Sequence, residues 1–208
     1  MKKVFSTLLV LSAVAVAGLG QDGQEYSYEA QSAFIPEELG KVYLGMPFKE
    51  FAANFDFAES EIGDTRFGPL PVKMKYEKGP VRSLSFSVHG LTSGQIDALK
   101  RPETFRGNDG WESTVVRLDP AKIPDAGIIY EIVIFYDPEY DLRSYAMKKF
   151  GEGADIRKPD DEYHFYDVQW VKKTSDGLQW LIRDFDQESK SITLIGRIDG
   201  TPWGLDQL

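Results

Sequence analysis

Two kinds of hydrophobic spacing organise the chain. In "YLGMPFKEFAANF", residues 43–55, the side chains of Phe48, Phe51, Ala52 and Phe55 recur at i, i+3, i+4 and i+7, which lines one face of a helix. Pro47 suits the first turn of that helix, and residues 41–44 before it read as a short strand. Residues 72–88, "VKMKYEKGPVRSLSFSV", alternate instead. Val72, Met74 and Tyr76 share one face, followed by Leu84, Phe86 and Val88 with serines between them. A period of two on both sides of a Gly-Pro turn predicts an antiparallel hairpin with one solvated face. "TSGQIDALK" then predicts a short helix capped by Thr92 or Ser93.

The second half follows a similar plan. "GIIYEIVIFYD" predicts a long strand, after which Pro138 opens a helix running to Phe150, with Leu142, Tyr145, Ala146 and Phe150 as its apolar stripe and Gly151 as its stop. Three strand-like runs follow. Between the first two, Ser175-Asp176-Gly177 suits a three-residue loop, which sets Lys172 opposite Trp180 and Trp170 opposite Ile182. A next turn centred on Glu188 sets Gly196 opposite Trp180. That register gathers Val168, Trp170, Leu178, Trp180 and Ile182 on one apolar face, so both tryptophans are expected in the core.

The expected fold is therefore α+β, made of two related units, each with a helix packed on an antiparallel β-sheet meander. The first unit covers residues 36–100 and the second residues 111–208. Residues 101–110, with Pro102, Gly107 and Gly110, read as a loop or linker between units that are either separate or fused in one domain.

The N-terminus adds a destination. Lys2 and Lys3, an apolar run from Val4 to Val16, and Ala15 and Ala17 in A-x-A spacing form the pattern of a signal peptide, residues 1–17. A flexible mature N-terminus is expected over residues 18–35. The chain contains no cysteine, so it has neither disulfides nor a lipid-attachment site. These features predict a bacterial periplasmic or secreted protein with no membrane insertion after cleavage. The net charge of −9 becomes −11 when the two lysines are removed with the signal. Such a surface repels nucleic acid and favours a basic protein or another envelope component as partner.

Candidate chemistry is sparse. The histidines are His89 and His164, and Ser93 in "HGLTSG" sits one place off the G-x-S-x-G spacing. "GLGQDG" fits G-x-G-x-x-G, but no helix pattern follows to hold a phosphate. Asp184, Asp186 and Glu188 alternate without the glycine or distal glutamate of a calcium loop. No catalytic residue, metal ligand or cofactor is assigned on these grounds, which points away from an enzyme. The best binding candidate is "KPDDEYHFYD", where Asp160, Asp161, Glu162, Tyr163, His164 and Tyr166 form an acidic, aromatic surface suited to a basic protein or a sugar. The same charges would equally guard an edge strand. Tyr136, Tyr140, Trp111 and Trp203 are further aromatics that either extend such a surface or pack inside.

"LGMPFKEFAANF" also resembles the helix entry of the SmpA/OmlA-type outer-membrane assembly lipoproteins and the β-lactamase-inhibitor-protein-like modules, through Gly45, Met46, Glu50 and Phe51. Pro47 replaces the serine or threonine of that pattern, and the lipoprotein cysteine is missing. The resemblance implies an exported α+β module that works by protein binding. The resulting expectation is a non-catalytic binding module for a protein or cell-envelope component. The alternatives are a small carboxylate-dependent hydrolase of envelope polymer, which the 33 acidic residues leave open, and a purely structural envelope protein.

Overall fold

Both halves of the chain feed strands into one sheet. The computed structural model describes residues 27–65, 69–107, 110–155, 168–173, 178–184 and 190–198. Its strands are Ser60–Ile62 (β1), Leu70–Lys78 (β2), Val81–His89 (β3), Lys100–Arg106 (β4), Glu112–Leu118 (β5), Ile128–Tyr136 (β6), Ala154–Asp155 (β7), Val168–Lys173 (β8), Leu178–Asp184 (β9) and Ser191–Ile198 (β10). Among the described residues, eight of them form one antiparallel sheet in the order β1-β2-β3-β6-β10-β9-β8-β7, and β4 and β5 form a separate ribbon. The seam between the halves is β3 against β6, where Phe86 faces Ile132 and Leu84 faces Ile134.

The registers predicted for β8, β9 and β10 hold, and the first hairpin pairs its two apolar faces. Val72 lies opposite Phe86 and Met74 opposite Leu84 in the first hairpin. Trp170 lies opposite Ile182, Lys172 opposite Trp180, and Gly196 opposite Trp180, as the turn lengths require. Trp170 is buried and its ring meets Phe150 at 5.7 Å between centroids. Its indole Nε1 donates to the Gly151 carbonyl at 2.8 Å, which gives the polar end of a buried tryptophan the partner it needs.

Helices cover one face of the sheet. Phe48–Ala52 (α2) and Leu142–Phe150 (α4) flank the middle strands, whose inward positions include the buried Val72, Met74, Leu84, Phe86, Ile132 and Ile134. The opposite face carries Ser83, Ser85, Val133 and Phe135, with Lys73 Nζ 5.6 Å from the Phe135 ring. An α+β fold with helices on antiparallel sheet is thus present, with each half supplying a helix to the same face.

Four local expectations need correction. Residues 41–44 are not a strand, because Leu44 is held by a side chain rather than a ladder: its N–H donates to Gln31 Oε1 at 2.7 Å, and Gln31 Nε2 donates to its carbonyl at 2.9 Å. Gln31 belongs to a helix, Tyr28–Gln31 (α1), and is buried, so the segment expected to be flexible through residue 35 is pinned well before its end. Helix α4 starts at Leu142, four residues beyond Pro138, because Asp141 supplies the cap by accepting from the Ser144 N–H at 3.2 Å. Residues 101–110, read as a linker, contain most of β4. The capping box of Ser93–Leu99 (α3) does form, with the Gln95 N–H donating to Thr92 Oγ1 at 3.3 Å and the Thr92 N–H to Gln95 Oε1 at 2.9 Å.

Gln31 offers a direct test of this buried polar clamp. Gln31→Leu strands both backbone groups of Leu44 while keeping an apolar side chain of similar size, and is expected to cost about 1–3 kcal/mol. Urea denaturation of the two proteins measures it.

Candidate functional site

The candidate surface at Asp160, Asp161, Glu162, Tyr163, His164 and Tyr166 lies outside the described residues, as does Trp203. The described residues assemble two other features: a projecting ribbon and a small charged cavity beside a tyrosine cluster.

The ribbon is the pair β4 and β5, in register from Lys100 opposite Leu118 to Arg106 opposite Glu112. Its base is anchored. Leu99 and Leu118 are fully buried, the Leu118 N–H donates to Ser60 Oγ at 3.2 Å, and Arg117 Nη1 donates to the Ser60 carbonyl at 3.1 Å. Towards the turn, exposure becomes general on both strands. Pro102 is tolerated because β4 is an edge strand that need not donate at every position. The Gly107 N–H bonds to the Trp111 carbonyl at 2.8 Å, which extends the ladder and puts Phe105 and Trp111 on one face of the ribbon. Phe105 is 45% exposed and Trp111 78% exposed. On that face Arg101 Nη2 and Arg117 Nε donate to the two oxygens of Glu103, at 3.3 and 3.1 Å, and the Arg117 guanidinium lies 5.7 Å from the Phe105 ring. The rings are therefore presented beside an arginine–glutamate–arginine cluster.

The cavity, of about 300 Å³, is lined by Glu37, Glu38, Tyr145, Lys148 and Lys149. Glu37 and Glu38 sit on a 3-10 turn, Glu37–Leu39, and the two lysines on the last turn of α4. The Tyr76 hydroxyl donates to the Glu38 carbonyl at 2.5 Å, and Tyr140 stacks on Tyr136 at 5.5 Å and tilts against Tyr145 at 5.9 Å. Glu38 Oε2 and the Tyr136 hydroxyl are both buried without a hydrogen-bond partner of acceptable geometry. Burial pushes the phenols of Tyr76, Tyr136, Tyr140 and Tyr145 up from the usual value, and the negative charge of Glu38 pushes each further. Tyr136 and Tyr140, which the sequence leaves as either surface or packed aromatics, are thus packed beside a carboxylate that no motif marks.

A carboxylate-pair glycoside hydrolase needs two carboxyl groups flanking the scissile bond. Glu37 and Glu38 are chain neighbours on one turn, so they share a wall and face lysines. Among the described residues, no group of three or more histidine, aspartate or glutamate side chains could hold a metal ion, and His89 lies edge-on to Tyr130 at 6.3 Å. No helix of the described residues is long and apolar enough to cross a membrane.

The alkaline limb of stability should report the tyrosine cluster. Tyr136 is neutral when protonated and its folded pKa is raised, so its contribution is complete below about pH 10 and is lost as pH rises above that value. Tyr136→Phe removes this loss together with an unpartnered hydroxyl. The variant is expected to be at least as stable as the parent at neutral pH and to show a flatter decline above pH 10 in pH-dependent denaturation.

Fold and sites together describe a two-layer α+β protein with an aromatic arm and a small charged cavity. Compared with known proteins, the chain matches no family model, no curated sequence and no solved structure.

Proposed function

We propose that this chain is an exported, non-catalytic binding protein that docks on a basic protein of the bacterial envelope through the β4–β5 arm. One observation carries the reading: Phe105 and Trp111 stand exposed on the same face of a two-stranded ribbon whose outer half has solvent on both sides. Isolated hairpins are marginal in water, and large exposed aromatics at a projecting tip are the kind of group that dominates protein interfaces when a partner pocket covers them. Arg101 and Arg117 are both held by Glu103, and β4 and β5 together carry four basic and two acidic residues, so the arm contributes its rings and not the acidic charge. Long-range attraction comes from the chain as a whole, at −11 once the two signal-peptide lysines are removed, which favours a partner of opposite sign.

The test pairs the mature protein with a Phe105→Ser, Trp111→Ser double variant in affinity capture from native envelope extract. The variant should keep its folding stability within about 0.5 kcal/mol, because both positions are surface sites. A partner recovered by the parent should bind the variant about tenfold more weakly or worse, and should be lost progressively as salt is raised. Equal capture by both proteins would refute docking through the arm.

A further inference from the structure

We propose that the cavity between the Glu37–Leu39 turn and the end of α4 is a binding site for a small zwitterion bearing an ammonium at one end and a carboxylate at the other, such as an amino acid or short peptide. Four observations lead there, none of which involves the arm. The cavity, at about 300 Å³, is roomy enough for a ligand of that size. Its walls differ in sign, with Glu37 and Glu38 on one side and Lys148 and Lys149 on the other, and among the described residues none of the four forms an ion pair. Glu38 lines the cavity while its buried Oε2 accepts no hydrogen bond, so no donor at that oxygen offsets its charge. Tyr145 lines the same space and belongs to the packed trio with Tyr136 and Tyr140, so π-faces lie close to the carboxylate.

The charge arrangement selects the ligand class by elimination. A simple anion would meet Lys148 and Lys149 but also two carboxylates. A metal cation would find one usable wall of two glutamates and be repelled by two ammonium groups. A ligand carrying both charges satisfies both walls: its ammonium meets the Glu37 and Glu38 carboxylates beside Tyr145, and its carboxylate accepts from the lysines. No bond is made or broken, and the site acts by recognition alone.

The dipeptide alanyl-alanine is the probe, with its N-acetylated and its C-amidated forms as controls, titrated into the ¹⁵N-labelled full chain. Saturable shifts centred on the Tyr145 and Lys148 amides are expected for the free dipeptide. Blocking either end should weaken binding by about tenfold or more, since each block removes one charge-assisted contact. Glu38→Gln and the double variant Lys148→Met, Lys149→Met should each do the same while retaining the parent's spectrum away from the cavity. No saturable shift with the free dipeptide would overturn the inference, as would equal binding of the blocked forms or unchanged affinity in the lysine variant. Failure here leaves docking through Phe105 and Trp111 intact, because the two sites share no residue.

Discussion

Phe51→Ala is expected to destabilise the protein by about 3–5 kcal/mol, the range for emptying a buried phenylalanine site. Phe51 is fully buried, and its ring sits 4.8 Å from Phe86 and 4.7 Å from Phe55. Phe86 in turn meets Phe48 at 6.1 Å and Phe57 at 6.0 Å, so one aromatic cluster joins α2 to the central strand β3. A five-residue helix has little stability of its own and depends on this face. Against a total stability of about 5–15 kcal/mol, the loss is a large share, and the urea midpoint should fall steeply. A double-mutant cycle with Phe86→Leu should return a coupling of about 0.5–1.5 kcal/mol for the ring pair. No coupling would mean that the rings merely share a cavity.

Gly127→Ala is the second large effect, expected at about 2–5 kcal/mol from two sources. Gly127 has φ +89°, where an L side chain is strained, and an added Cβ would lie 2.7 Å from Leu91 Cδ2 and 2.9 Å from Val88 Cγ1. The residue also closes the start of α2. Pro47, at the N-cap position, offers no side-chain acceptor, and the Phe48 N–H donates instead to the Gly127 carbonyl at 2.9 Å. Gly45 and Met46 bond to Ile129 on the same segment, at 2.6 and 3.0 Å. Moving Gly127 therefore disturbs β3, β6 and α2 together. Thermal and urea denaturation should both show the loss, and Gly40→Ala is a useful control because its φ is +71° with no atom within 4 Å of the added Cβ. The difference between the two variants isolates the packing contribution from backbone strain.

These two residues also show what a sequence can and cannot reveal. The helical spacing of Phe48, Phe51 and Phe55 is local, and so is the loop at Ser175-Asp176-Gly177 that sets the register of Trp170 against Ile182. Such features are readable because period and turn length are properties of neighbouring residues. The role of Gly127 as a cap for Phe48 spans much of the chain, and nothing near Gly127 announces it. The pairing of β3 with β6 is hidden for the same reason, although it is what joins the two halves into one sheet.

The arm is hidden in the sequence for a different reason. "KRPETFR" shows no apolar alternation because its strand is exposed on both faces, so the two-residue period that marks a half-buried strand has nothing to mark. Pro102 and the flanking glycines then argued for a loop. In the sequence Trp111 is one of several aromatics, and its exposure depends on the anchoring of Leu118 and Arg117 to Ser60. Glu38 left even less trace. Its unfilled oxygen becomes visible only when the 3-10 turn is seen beside the tyrosines of β6 and α4.

Photocrosslinking from the arm decides most directly whether it is a docking element. A photoreactive phenylalanine analogue replaces Ser113, an exposed residue on the same face as Phe105 and Trp111, and in a second protein replaces Glu139, exposed on the turn before α4. Docking through the arm predicts one discrete adduct from position 113 in native envelope extract, absent from position 139 and suppressed by Trp111→Ser. Adducts of equal yield from both positions, or an adduct from position 113 that survives Trp111→Ser, would contradict it.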